Sequence, residues 1–102
     1  MTLEELRLLR IIQGILVRNY VNTQKLDLQV IGSSLYMEGE FEVFEYRISA
    51  RKKDPVERDL ETIHTLLHVE KQIRSLAEIS HTEFKLRNWH RSGAQWTRQH
   101  SL

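Results

Sequence analysis

Over residues 26–44 the chain reads LDLQVIGSSLYMEGEFEVF, and apolar and polar positions alternate with a period of two around a Gly-Ser-Ser turn signal. That pattern predicts a β-hairpin. With Gly32 and Ser33 as a two-residue turn, Gly taking the position that needs positive φ, Val30 faces Leu35 and Leu28 faces Met37. Leu26, Leu28, Val30, Leu35, Met37, Phe41 and Val43 then share one face. A slip of one residue would set Gln29 against Met37 and break that face, so the register is strongly specified. The opposite face carries Gln29, Ile31, Tyr36 and Phe44 among the acidic Glu38, Glu40 and Glu42.

Two helical patterns flank the hairpin and must cover its apolar face. Thr2 followed by Glu5 is a capping box, and the spacing predicts a helix over 3–20. Leu8, Leu9, Ile12, Ile15, Leu16 and Tyr20 fall on one stripe of that helix, with Arg7, Arg10, Gly14 and Arg18 opposite as solvated charge. Asp54, Pro55 and Glu57 supply the cap, the first helical position and the third for a second helix over 55–76. Its expected core face is Val56, Leu60, Ile63, Leu66, Leu67 and Ile73. A third strand follows, in which Thr82, Phe84 and Leu86 alternate with His81, Glu83, Lys85 and Arg87. Its partly basic outward face suits a place beside the acidic second strand, at about 0.2–1 kcal/mol per opposed pair. Trp89 is assigned to the outward face. From Ser92 onward SGAQWTRQHSL has no period and is expected to be a disordered tail, with Trp96 as the one residue able to dock. The fold class expected is therefore α+β: one α-β-β-α-β domain over 1–91, a three-stranded sheet with two helices on one face.

Composition agrees with one small soluble domain, at 102 residues, 40% hydrophobic and 28% charged. The absence of cysteine excludes disulfides, thiolate metal sites and a cysteine nucleophile. The first twenty residues mix Glu and Arg instead of showing a basic start and an apolar block, and no run approaches the roughly 18 apolar residues of a membrane span, so a cytoplasmic location is expected. A net charge of +1 supplies no overall field, which leaves local patches to attract anions.

The main basic patch is Arg51, Lys52 and Lys53, just before the second helix. Such a position suits a phosphate, but Asp54 already occupies the cap and no glycine lets an anion reach the backbone. His64 and His68 share one side of the second helix near Glu57 and Glu61; Thr65 follows His64, so the zinc-protease pattern is absent and the pair reads as surface histidines. Neither metal nor cofactor is expected. No paired carboxylates in an apolar setting, nucleophile elbow or Gly-rich phosphate loop appears, and an enzyme built on the His pair ranks below a binding role. An RNA-binding domain is the other alternative, with Arg51, Lys52, Lys53, Lys85, Arg87 and Trp89 lining a surface. The acidic Glu38, Glu40 and Glu42 would repel phosphate there, which argues against nucleic acid.

The run LYMEGEF, residues 35–41, resembles the core motif of the bacterial BON domain, in which aliphatic residues alternate with variable ones around a glycine. Leu35, Met37, Gly39 and Phe41 take those places, and the likeness extends across residues 3–91 in element order and in Glu57 and Arg58 at the second helix start. Residues 45–53 are additional to that pattern, and Leu76, Ala77, Glu78 and Ile79 replace its Gly-Val. The resemblance implies a non-catalytic binding or adaptor module that recognises a protein partner or an anionic, phospholipid-like surface. The candidate binding residues are Tyr36, Arg51, Lys52, Lys53, Lys85, Arg87 and Trp89. The apolar bulk on the outward face, and edge strands without proline, also predict a two-fold homodimer through that face or an edge.

Overall fold

The structure, a computed structural model, describes residues 1–44 and 54–99. The basic cluster Arg51, Lys52 and Lys53 lies outside the described residues. The first helix, α1, spans Leu3–Arg18 and buries Leu8, Ile12, Ile15 and Leu16. Its capping box is formed: the Glu5 N–H donates to Thr2 Oγ1 at 3.1 Å and the Thr2 N–H donates to Glu5 Oε1 at 2.7 Å. The other Glu5 oxygen accepts from the Gly32 N–H at 2.7 Å, which ties the helix start to the hairpin turn.

α1 ends two residues earlier than its pattern predicts, and Tyr20 is 42% exposed instead of joining the core. The reason is a Schellman stop: the Val21 N–H bonds the Leu16 carbonyl at 3.0 Å and the Tyr20 N–H bonds the Val17 carbonyl at 3.0 Å. Tyr20 sits at the left-handed position of that motif, with φ 61°, and this turns its ring off the stripe. Val21 and Leu16, the apolar pair that accompanies such a stop, are both buried.

A 3₁₀ turn over Thr23–Lys25 leads into β1, Leu26–Ile31, and β2, Ser34–Gly39. Their antiparallel register pairs Val30 with Leu35 and Leu28 with Met37, as the alternation predicts. Gly32 holds the turn at φ 60°. β2 stops at Gly39, where φ reaches 115°, yet Phe41 and Val43 remain buried. Beyond the break the chain bonds to the segment after α1: Glu40 N–H to the Lys25 carbonyl at 3.0 Å, Asn22 N–H to Glu42 at 2.8 Å and Phe44 N–H to Tyr20 at 2.9 Å.

The second helix, α2, spans Pro55–Arg74, and the Asp54 carboxylate caps it by accepting from the Val56 N–H at 2.9 Å. α2 crosses over to β3, His81–Leu86, which lies parallel beside β2 with Glu38 level with Lys85, so the sheet order is β1-β2-β3. The face that α2 buries shares Leu66 and Ile73 with the expected one and is otherwise turned away from it. Thr62, Leu66, Val69, Glu70 and Ile73 point inward, whereas Val56, Leu60 and Leu67 are 65%, 50% and 37% exposed.

The helix is rotated because a second hairpin packs against it where the sequence predicts an unstructured tail. β4, Trp89–Ser92, and β5, Gln95–Arg98, form an antiparallel pair around a turn in which Gly93 has φ 61°. Trp89 is 1% exposed and Trp96 4%, so Trp89 does not lie on an outward face. The Trp89 indole N–H donates to the Phe41 carbonyl at 3.0 Å. Asn88 braces the same residue from both sides, its amide donating to the Phe41 carbonyl at 2.9 Å and its oxygen accepting from the Phe41 N–H at 3.0 Å. Trp96 stacks on Phe84 with ring centroids 6.3 Å apart. Buried residues from both helices, the three-stranded sheet and the two tryptophans make one core.

Candidate interaction surface

Because successive strand residues point to opposite sides, the register of the three-stranded sheet fixes its outer face. Three rows cross it: Ile31, Ser34 and His81; Gln29, Tyr36 and Glu83; Asp27, Glu38 and Lys85. None of these nine residues is buried, and no described element covers them. Tyr36 stands at the centre, its ring edge-on to that of His81 at 6.2 Å, and Ile31 beside them is 54% exposed. Around this amphipathic centre lie the carboxylates of Asp27, Glu38 and Glu83 against the single ammonium of Lys85, which pairs with Glu83 at 3.7 Å. The face is therefore net acidic.

Of the residues singled out in the sequence, the structure brings Tyr36 and Lys85 together on this face. Arg87 is exposed just past β3, with its N–H bonded to the Gly39 carbonyl at 2.7 Å. Trp89 is in the core, so it is removed from the set. His64 and His68 are exposed on α2. Among the described residues no three His, Asp or Glu side chains come together as metal ligands.

Several charged groups elsewhere act as cross-links between segments of the chain. Arg7 donates to Glu78 at 2.8 Å, and this partner raises the guanidinium while holding the Glu78 carboxyl below its ordinary range. Lys25 bonds Glu42 at 2.9 Å and is raised by it. The buried Glu70 carboxylate accepts from Arg91 of β4 and pairs with Arg74 at 3.1 Å, locking the second hairpin onto α2. Arg91 lies over the Trp96 ring at 5.4 Å and Arg98 over Trp89 at 5.0 Å, so guanidinium stems and heads roof both indoles.

A shallow groove at the head of β3 is lined by Arg74, Ile79, Ser80, His81 and Thr82. Its polar groups are largely engaged within the protein: Arg74 Nε donates to Thr82 Oγ1 at 3.4 Å, and the Ser33 and Ser80 hydroxyls share a bond of 2.6 Å.

The Glu70 network and the second hairpin are what sequence patterning missed. The available signal was the Trp89 to Trp96 spacing around a Gly93-Ala94 turn, because two four-residue strands are too short to show alternation. Among the described residues no helix is long and apolar enough to cross a membrane. No family model matches the chain, and no curated protein or solved structure matches it either.

Proposed function

We propose that the chain is a non-catalytic binding module, BON-like in its element order, that recognises a protein partner through the outer face of its three-stranded sheet. The observation that carries this reading is Tyr36 at the centre of that face, flanked by Ile31 and His81 and left uncovered by every described element. Aromatic residues with a polar tip supply contact area at low entropic cost and are enriched at the centres of interfaces. Three carboxylates around one ammonium select a partner segment rich in Lys or Arg, and they disfavour a phospholipid headgroup or an RNA backbone.

An array of immobilised basic and acidic peptides, with and without aromatic residues, tests this. The chain retains on basic, aromatic-containing peptides, and both Tyr36→Ala and the double reversal Glu38→Lys with Glu83→Lys abolish that retention. Binding to phosphatidylglycerol vesicles or to single-stranded RNA that survives those variants would instead assign the chain to an anionic ligand and overturn the proposal.

A further inference from the structure

α2 carries two rows of side chains at the same spacing of i, i+4, i+7 and i+11. Thr62, Leu66, Val69 and Ile73 form the buried row. Val56, Leu60, Ile63 and Leu67 form the other, on the shoulder of the helix, and all but the half-buried Ile63 are exposed. At its C-terminal end this second row opens into a shallow cleft lined by Leu67, Glu70, Lys71, Arg74 and Ser75. Glu57 flanks the row at its start and Lys71 at its end, both exposed. Neither side chain is in an ion pair among the described residues. They lie on one side of the helix, about 21 Å apart along its axis at 1.5 Å per residue.

We propose that this row is the contact face of a homodimer in which α2 packs antiparallel on α2 of a second copy. Position 64 is midway between Glu57 and Lys71, and the midpoint of Leu60 and Leu67 falls between positions 63 and 64, so the charged and apolar pairs share one two-fold axis. About that axis Leu60 meets Leu67 of the second copy, and Val56 enters the cleft beside Lys71 of the second copy. Glu57 faces Lys71 of the second copy on both sides. Parallel packing would oppose Glu57 to Glu57 and Lys71 to Lys71, so charge selects the antiparallel form, in which the helix dipoles also run opposite. It is this self-complementarity that points to a second copy of the chain rather than to an unrelated protein. The surface is distinct from the sheet face, which stays open in such a dimer.

Two rows of this length bury less than about 1,200 Å² in total, the range of weak complexes, so association is read by sedimentation velocity over a concentration series reaching the millimolar range. The mass moves from monomer to dimer. Glu57→Lys and Lys71→Glu, both at exposed positions and checked for folding by circular dichroism, each weaken association roughly tenfold, because two attractive pairs become repulsive. The double swap restores it, and an equimolar mixture of the single variants forms a heterodimer more readily than either variant alone self-associates. A monomer at every concentration overturns the proposal, as does a dimer indifferent to both single reversals. A dimer that both reversals weaken and the double swap fails to restore overturns the antiparallel arrangement.

Discussion

Replacing Gly39 with Ala forces the two sheet-forming halves of the chain apart, and the structure allows the cost to be worked out. Gly39 has φ 115°, a region that residues with a Cβ rarely adopt, and forcing one there costs about 1–3 kcal/mol. The added methyl group would lie closer than 3.0 Å to the Lys25 carbonyl oxygen and 3.3 Å from Leu26 Cα, and both are backbone atoms that no rotamer change can move aside. Relief therefore requires the start of β1 to separate from the end of β2. That movement disrupts the bond from the Glu40 N–H to the Lys25 carbonyl, 3.0 Å, and the one from the Arg87 N–H to the Gly39 carbonyl, 2.7 Å. At about 1 kcal/mol for each bond, the total is about 3–5 kcal/mol, a large share of the stability of a domain this size. Gly32→Ala is the internal control: Gly32 has φ 60° and nothing within 4 Å of an added Cβ, so only the left-handed backbone penalty of about 1–2 kcal/mol applies. Urea unfolding of both variants, compared by midpoint at constant m-value, measures the difference. A Gly39→Ala variant within about 1 kcal/mol of Gly32→Ala would refute the close-approach reasoning.

Other substitutions probe the core and its edges. Met37→Asp buries an unpaired charge at a fully enclosed position and lowers stability by at least about 3 kcal/mol; an unchanged melting temperature would mean the strand faces are inverted. Trp96→Ala costs about 3–5 kcal/mol in thermal or urea unfolding, and ending the chain at Ser92 costs more, because β5 and the stack on Phe84 go with it. A truncated chain that melts like the full one would show the second hairpin to be dispensable. The Glu5 carboxyl is held below its ordinary value of 4.5, first by the Thr2 backbone N–H, then by the Gly32 N–H and the Thr2 hydroxyl. A lowered folded-state value means that its contribution is fully present above the unfolded-state value and is lost as pH falls through the lowered one. Stability of the wild type therefore falls more steeply below pH 4.5 than that of Glu5→Gln, and equal slopes would contradict the contacts seen at the helix start.

The hairpin was legible from sequence because two constraints coincide there: the period-two pattern sets the faces, and Gly32 sets the turn, so Val30 and Leu28 have only one set of partners. The place of β3 beside β2 followed from opposed charges, and Glu38 does stand level with Lys85, although the Lys85 ammonium pairs with Glu83. α2 is legible only in part: Leu66 and Ile73 are buried as the pattern predicts, whereas Val56, Leu60 and Leu67 are not, for a physical reason. Its row of Val56, Leu60, Ile63 and Leu67 is more apolar than the row of Thr62, Leu66, Val69 and Ile73, and hydrophobicity alone prefers the former. What reverses the preference is the β4–β5 hairpin, whose Arg91 satisfies Glu70 and whose Trp96 closes the core. Strands of four residues are too short to show alternation, so the pattern does not place Thr62, Val69 and Glu70 on the buried face. Tyr36 and Lys85 were readable as surface residues from strand alternation, whereas Trp89 was not, because Asn88 and the Phe41 carbonyl redirect the chain after β3.

Recognition through the outer sheet face stands or falls on amide shift mapping. The ¹⁵N-labelled chain is titrated with the tightest basic peptide from the array. The expected perturbations cluster at Asp27, Gln29, Tyr36, Glu38 and Glu83, with α2 and the β4–β5 hairpin silent. Perturbations confined to α2, to the second hairpin or to Arg87, with Gln29, Tyr36 and Glu83 unmoved, would contradict it.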